Sequence, residues 1–140
     1  MPDRIDPRLP LTAVLDQAGA LITTTAPEDT ARPTPCDEFD VGALIGHLIA
    51  IPTRIAVIAQ GGDAWAVPSS AEVEPDDWAV RWAEACAAVN AALAPDEVLQ
   101  REFRAPFGPV VEVDESASPF DRLLGWYGRE PHPVHAHARA

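Results

Sequence analysis

The sequence predicts an all-α fold, and three observations support this prediction. The chain has alanine-rich windows but only four phenylalanines and one tyrosine, a composition that favours helices over sheets. Apolar residues recur at three- and four-residue steps in three separate windows, as they do on one face of a helix. Thirteen of the fifteen prolines lie outside these windows, as expected for a residue that ends helices. With 47% hydrophobic residues in 140 positions, the chain has enough apolar material for one core.

The first helix is predicted over residues 9–24. Its apolar positions form one stripe, which consists of Leu11, Val14, Leu15, Ala18, Leu21 and Ile22. Three consecutive threonines and then Pro27 end this helix. A proline-rich connection at residues 32–36 leads from there into the acidic residues 37–40.

The second helix is predicted over residues 41–60. Asp40 is a good N-cap, because its carboxylate can accept hydrogen bonds from the free amides of the first turn. Phe39 precedes this cap and can pack against Leu44 or Ile45 as a hydrophobic staple. The apolar face of the helix is wide, and it consists of Val41, Leu44, Ile45, Leu48, Ile49, Ile55 and Ile58.

The third helix is predicted over residues 78–93, after an ordered loop at residues 65–75. Asp76 or Asp77 is expected to cap it. Its apolar stripe consists of Trp78, Trp82, Cys86, Val89 and Leu93. The two tryptophans are interpreted as core or interface residues rather than as a ligand-binding surface. Residues 96–100 are expected to add one short turn.

The regular helical pattern of apolar residues ends after residue 100. Residues 101–113 are expected to be irregular, because proline and glycine interrupt them. A short helix is expected over residues 119–127, since Ser118 can cap it and Pro119 suits its first position. We therefore predict one helical domain at residues 1–129 and a flexible tail at residues 130–140, which contains histidines and prolines.

The charge of the chain excludes several classes of partner. Twenty-two acidic and ten basic residues give a net charge of -12, which repels nucleic acids and anionic membrane surfaces. No stretch reaches the roughly 18 uninterrupted apolar residues of a membrane span, and the N-terminus does not resemble a secretory signal. We therefore expect a cytoplasmic protein whose two cysteines, Cys36 and Cys86, are thiols.

Two stretches of the sequence resemble a known family. The first reads PTPCDEFDV and then LIGHL within residues 33–48, and the second reads APFGPVV, SPFDRLL and GREP within residues 105–131. They are similar to actinobacterial DinB/YfiT-like metal-binding proteins, relatives of the mycothiol-dependent maleylpyruvate isomerase N-terminal domain. The resemblance implies a four-helix, up-down bundle that holds one divalent metal through three side chains. Members of that family include thiol-dependent isomerases and transferases.

The resemblance makes His47 the candidate metal ligand, with zinc or nickel as the expected ion. The family implies two further ligands, which stand four residues apart on a later helix. No later helical window of this sequence contains a histidine, and the segment between Leu93 and Phe103 is too short for the family's ligand-bearing helix. We therefore expect an abbreviated DinB/YfiT-like bundle, with an irregular segment before a short C-terminal helix and an incomplete metal site.

The remaining residues with reactive side chains have simpler interpretations. Cys36 lies near a helix N-terminus, which favours a thiolate, but Asp37, Glu38 and Asp40 oppose one, so a structural role is favoured. Cys86 is expected to be a small core residue. Three histidines, His132, His135 and His137, lie in the tail and are expected to bind metals adventitiously.

The sequence thus favours a degenerate or non-catalytic member of a divalent-metal-binding family. One alternative is a metal-dependent, mycothiol-type thiol transferase or isomerase that uses a small thiol, and another is a protein-interaction module. A homodimer is expected, because a short bundle would leave apolar area uncovered on residues 41–58 and along Trp78, Trp82 and Leu93. The competing cover for that area is the segment 101–113.

Overall fold

The computed structural model describes residues 6–101, and in this part the chain is helical. The helices are α1 (Arg8–Thr24), α2 (Val41–Ala59) and α3 (Trp78–Leu93). Short 3-10 turns accompany them at Pro27–Asp29, Ala64–Ala66, Pro75–Asp77 and Asp96–Gln100. Across residues 6–101 no strand forms, and Pro33 and Asp40 make an isolated antiparallel bridge. The predicted all-α class is confirmed.

The C-terminal predictions lie almost entirely outside the described residues. These are the irregular segment at residues 101–113, of which only Arg101 is described, the short helix at residues 119–127 and the tail at residues 130–140. The predicted boundary between residues 129 and 130 lies there too. These predictions stay predictions.

The apolar stripe of α1 is divided between the core and the surface. Leu15 and Ile22 are buried, and Leu11 and Ala18 pack partly against the same core. Val14 and Leu21, in contrast, are 60% and 65% exposed. The helix therefore has one face in the core, which it shares mainly with α3, and an apolar strip beside that face.

Gly19 sets how closely α1 can approach α3. A Cβ atom at this position would stand 2.6 Å from Nε1 of Trp82. Real Cβ atoms do not come this close to a neighbouring atom, so the buried indole fits against α1 because residue 19 has no side chain.

Arg8 joins the start of α1 to the end of α3. Its guanidinium lies 2.7 Å from a carboxylate oxygen of Asp6 and 2.8 Å from one of Asp96. It also donates a hydrogen bond of 2.9 Å to the carbonyl oxygen of Ala94. The last carbonyls of a helix lack partners within the helix, and a cation there is favoured by the helix dipole. Arg8 thus caps α3 from a distant part of the chain.

The central helix of the core is α2, and Asp40 caps it as predicted. The Asp40 side chain accepts a hydrogen bond of 2.8 Å from the amide of Ala43. Pro52 lies inside the helix and is fully buried, and Ile51 is the only exposed residue of α2.

By length and hydropathy α2 could cross a bilayer, but core helices of soluble proteins pass the same test. It packs along α3, and 33% of its most apolar window is buried.

The buried face of α3 contains both tryptophans. It consists of Trp78, Trp82, Ala85, Val89 and Ala92, with Cys86 and Leu93 partly buried beside it. Asp77 is the residue before the helix, but its side chain makes no capping hydrogen bond, contrary to the prediction. Because Trp78 and Trp82 are 3% and 8% exposed, the expectation that they leave apolar surface uncovered was wrong.

Candidate functional site

The side chain of His47 lies between the loops that flank α2. On one side its ring stacks on the ring of Phe39, with centroids 5.2 Å apart and an interplanar angle of 23°. On the other side Nδ1 lies 2.6 Å from the carbonyl oxygen of Ser69. Phe39, expected to pack on Leu44 or Ile45, thus has His47 as its stacking partner. These two contacts fix the plane of the imidazole.

The contact with Ser69 selects one tautomer of His47. A carbonyl oxygen can only accept a hydrogen bond, so Nδ1 carries the proton and donates. In the neutral ring the lone pair then lies on Nε2, which is the atom that can bind a metal ion. Metal-binding histidines commonly donate their other ring N–H to a backbone carbonyl in this way. The orientation of His47 is therefore suited to one metal bond through Nε2.

Ser69 reaches His47 because the loop at residues 67–72 lies directly on α2. The amide of Ala71 donates to the carbonyl of Gly46 at 3.0 Å, and the Ser70 hydroxyl donates to the carbonyl of Ala43 at 3.0 Å. A Cβ atom on Gly46 would overlap the Ala71 carbonyl oxygen and stand 2.8 Å from the Ser70 oxygen. Glycine in the middle of α2 therefore permits this close approach of two backbones.

Arg54 holds the beginning of the same loop. Its Nε and Nη2 atoms donate to the carbonyl oxygen of Val67 at 3.1 and 2.7 Å. With the bonds at residues 69, 70 and 71, the loop is attached to α2 at four points. This arrangement was not predicted from the sequence, although Gly46 and Arg54 within a mostly apolar helix were visible signals of it.

The loop at residues 67–72, α2 and Arg81 of α3 line a half-open cavity of about 500 Å³. Such a volume is within the range of small-molecule sites. The cavity is lined by Ile49, Ala50, Thr53, Val67, Pro68, Ser70, Ala71, Glu72 and Arg81. Most of these side chains are apolar, and the two charged ones are Glu72 and Arg81. Arg81 has an exposed partner, Glu84, at 3.7 Å.

His47 fits a metal ion as one ligand, but the described residues do not complete a site. Residues 6–101 contain no group of three histidine, cysteine, aspartate or glutamate side chains that could hold an ion. His47 is also the only histidine in that range, and His132, His135 and His137 lie outside it. No reaction step through a metal follows from this donor set.

Both cysteines are free thiols, as predicted. Cys36 is exposed beside a second cavity of about 400 Å³, whose wall includes three acidic residues, Asp37, Glu38 and Asp40. Cys86 is half-buried on α3 at the edge of the core. Burial, with a smaller contribution from the charge of Asp16, raises the pKa of its thiol. This disfavours the nucleophilic thiolate and suits a packing role.

Comparison with known protein families gives a match over most of the chain. The model of a family described as the mycothiol maleylpyruvate isomerase N-terminal domain matches residues 11–140, which is most of the chain. This range includes His47 and the whole of the loop at residues 67–72. Comparisons with curated proteins and with solved structures found no match.

Proposed function

The chain belongs to the family of mycothiol maleylpyruvate isomerase N-terminal domains, and on that premise we propose that it binds a divalent metal ion without catalysing a reaction. In this proposal His47 is the ligand that α2 contributes, and the site is incomplete in comparison with the three-ligand site that the family resemblance implies. Zinc or nickel is the expected ion, because both accept an imidazole nitrogen.

The observation that carries the proposal is the hydrogen bond between Nδ1 of His47 and the carbonyl of Ser69. It directs the lone pair to Nε2, and the stacking of Phe39 restricts rotation of the ring. A histidine that served only to fill space would not need both restraints. The helix that follows, α3, has no histidine with which His47 could share an ion, and this supports an incomplete rather than a catalytic site.

Metal titration of protein that has no purification tag tests this proposal. After chelation and repletion with Zn²⁺ or Ni²⁺, we expect less than one metal per chain to survive dialysis. Binding should weaken in His47→Ala and again when His132, His135 and His137 are replaced by alanine. The proposal is overturned if the variant without tail histidines keeps one tightly held ion per chain that is lost on His47→Ala, because the site would then be complete.

An active enzyme is the second candidate function. The name of the family refers to mycothiol, and the Nε2 lone pair of His47 would suit a metal-dependent thiol transferase or isomerase whose other ligands come from residues 102–140. A small thiol would then be the co-substrate. Mycothiol-dependent turnover that disappears in His47→Ala would favour this candidate over the binding protein.

A protein-interaction module is the third candidate. The apolar strip of α1, with Val14 and Leu21 largely exposed, supports it, and a second copy of the chain is the partner we propose. A cytoplasmic location is part of each of these proposals, since both cysteines are free, as is usual in a reducing compartment.

A further inference from the structure

We propose that the cavity between α2, α3 and the loop at residues 67–72 binds a small zwitterion with an apolar body, of the class of apolar α-amino acids. This site is separate from the metal proposal, because His47 does not line the cavity. Its ligand class follows from the hydrogen-bonding capacity of the wall.

The floor of the cavity accepts an apolar body. Ile49 and Ala50 are each only 3% exposed and belong to the side of α2 that faces the core. Val67, Pro68 and Ala71 continue the apolar wall from the loop. A branched or aromatic side chain of amino-acid size would cover the accessible apolar surface of the wall, which lies on Val67, Pro68 and Ala71 rather than on Ile49 and Ala50. Removing such surface from water is the main source of affinity for small ligands.

Two hydroxyl groups on the wall are free only as acceptors. The Ser70 hydroxyl donates its proton to the carbonyl of Ala43 at 3.0 Å, and the Thr53 hydroxyl donates to the carbonyl of Ile49 at 3.2 Å. Each hydroxyl has one proton, so the lone pairs remain for a ligand. The carboxylate of Glu72 is a third acceptor. These three acceptors, Thr53 on α2 and Ser70 and Glu72 on the loop, equal in number the three N–H donors of an ammonium group.

The one cation among the lining residues is Arg81. Its guanidinium can hold a carboxylate through two parallel hydrogen bonds, and its present partner, Glu84, is exposed and 3.7 Å away. An exposed pair at that distance contributes little, so a ligand carboxylate can compete for the guanidinium.

A ligand that carries only a negative or only a positive charge does not suit this wall. A ligand with only a carboxylate would meet Glu72 without compensation in a chain whose net charge is -12. A ligand with only an ammonium group would meet Arg81. A zwitterion compensates the charges of both Glu72 and Arg81. Among anionic, cationic and zwitterionic ligands, we therefore expect the zwitterionic class to bind.

The cavity is also largely preformed. Its loop wall is attached to α2 through Val67, Ser69, Ser70 and Ala71, so binding does not have to order that loop. Preformed walls reduce the entropic cost of binding a ligand.

Three matched compounds test the proposal by isothermal titration calorimetry or NMR. They are L-phenylalanine, 3-phenylpropanoate, which lacks the ammonium group, and 2-phenylethylamine, which lacks the carboxylate. The protein is the full chain with a chelator present, so the outcome does not depend on metal at His47. We expect L-phenylalanine to bind with a Kd of about 0.1–1 mM, as is usual for a ligand with so few atoms, and at least tenfold more tightly than either analogue.

Surface variants locate the binding. Arg81→Gln should weaken L-phenylalanine at least fivefold, and Glu72→Gln should weaken it while improving 3-phenylpropanoate. Arg32→Gln and Glu28→Gln are the controls, since they remove the same charges from exposed positions that do not line the cavity. The proposal is overturned if no compound binds at millimolar concentration, if the analogues bind as tightly as L-phenylalanine, or if the cavity variants behave like the controls.

Discussion

His47 donates a hydrogen bond of 2.6 Å from Nδ1 to the carbonyl oxygen of Ser69, which lies 22 residues later in the chain. This bond joins the candidate metal ligand on α2 to the loop that forms one wall of the larger cavity. Orientation of the imidazole and attachment of the loop therefore depend on the same contact. Substitutions of His47 should affect metal binding and loop stability together unless the replacement side chain can still donate at that point.

Asparagine at position 47 should separate the two roles. Its amide can place an N–H near the position of the imidazole Nδ1 but has no counterpart of Nε2. We expect His47→Asn to keep the attachment to Ser69 and to lose the metal bond. His47→Ala should lose both and lower the free energy of unfolding by about 0.5–1.5 kcal/mol, the usual net value of one hydrogen bond.

Urea denaturation and zinc titration of both variants measure this difference. Equal stability of His47→Asn and His47→Ala would show that the contact with Ser69 does not stabilise the loop. Unchanged zinc binding in both variants would show that His47 is not a ligand.

Gly46→Ala should destabilise the protein although it improves helix propensity. In the middle of a helix this replacement alone would add about 0.5–1 kcal/mol of stability. Here the added Cβ atom would overlap the Ala71 carbonyl and crowd the Ser70 hydroxyl. We expect a net loss of about 1–3 kcal/mol, as in other overpacked sites. Chemical denaturation gives the sign directly, and a gain in stability would contradict the close approach of the loop.

Arg8→Gln should lower the midpoint temperature of thermal unfolding. It should also make that temperature depend less on pH in the acidic range. Hydrogen bonds from Arg8 hold the pKa of Asp6 below its ordinary value of 3.8. The stabilisation linked to Asp6 is therefore present above about pH 4 and is lost as the pH falls through the lower pKa of the folded state. Thermal melts between pH 2 and 7 would measure both effects.

Arg32→Gln is the control for Arg8, because its pair with Asp29 at 3.3 Å joins two residues of one loop. It should leave the melting temperature nearly unchanged. Equal melting profiles for the two variants would contradict a special role of Arg8 in joining α1 to α3.

The apolar strip of α1 should be the interface of a homodimer. Val14 and Leu21 stand seven residues apart, two helical turns, and both are largely exposed. Leu21→Glu should shift light-scattering mass towards the monomer. The control is Val80→Glu, which introduces the same charge at a residue of α3 that is 58% exposed. A wild-type chain that stays monomeric at high micromolar concentration would contradict the dimer.

The helices and the Asp40 cap could be predicted because they depend on local patterns, whereas the predicted cap at Asp77 did not form a hydrogen bond. The bounds of α1, α2 and α3 agree with the sequence windows within one residue, and Asp40 caps α2 as expected. The environment of each helix face was harder to predict. Periodicity placed Val14 and Leu15 on one stripe, but tertiary packing buries only Leu15.

The contacts around the candidate site could not be read from the sequence. His47 was identified through a family resemblance. Its partner is the backbone carbonyl of Ser69, and a backbone contact leaves no signature in side-chain patterns. The partner of Arg54 is likewise a backbone carbonyl, that of Val67, so the arginine stands out in α2 but its partner does not. The same holds for Arg8, whose partner Ala94 is 86 residues away. Such contacts depend on how the chain returns to itself, and spacing along the sequence does not encode that.

The unequal packing of the helices implies an order in which they open. Since α1 packs mainly on α3, through its buried stripe and the Arg8 contacts, it can detach while α2, α3 and their connecting loop stay together. Amide protons of α1 should then exchange with solvent water sooner than those of α2, as expected for a unit of lower local stability. Both candidate sites lie in the slowly exchanging part. Mild heating should accordingly expose α1 to proteases before either binding capacity is lost.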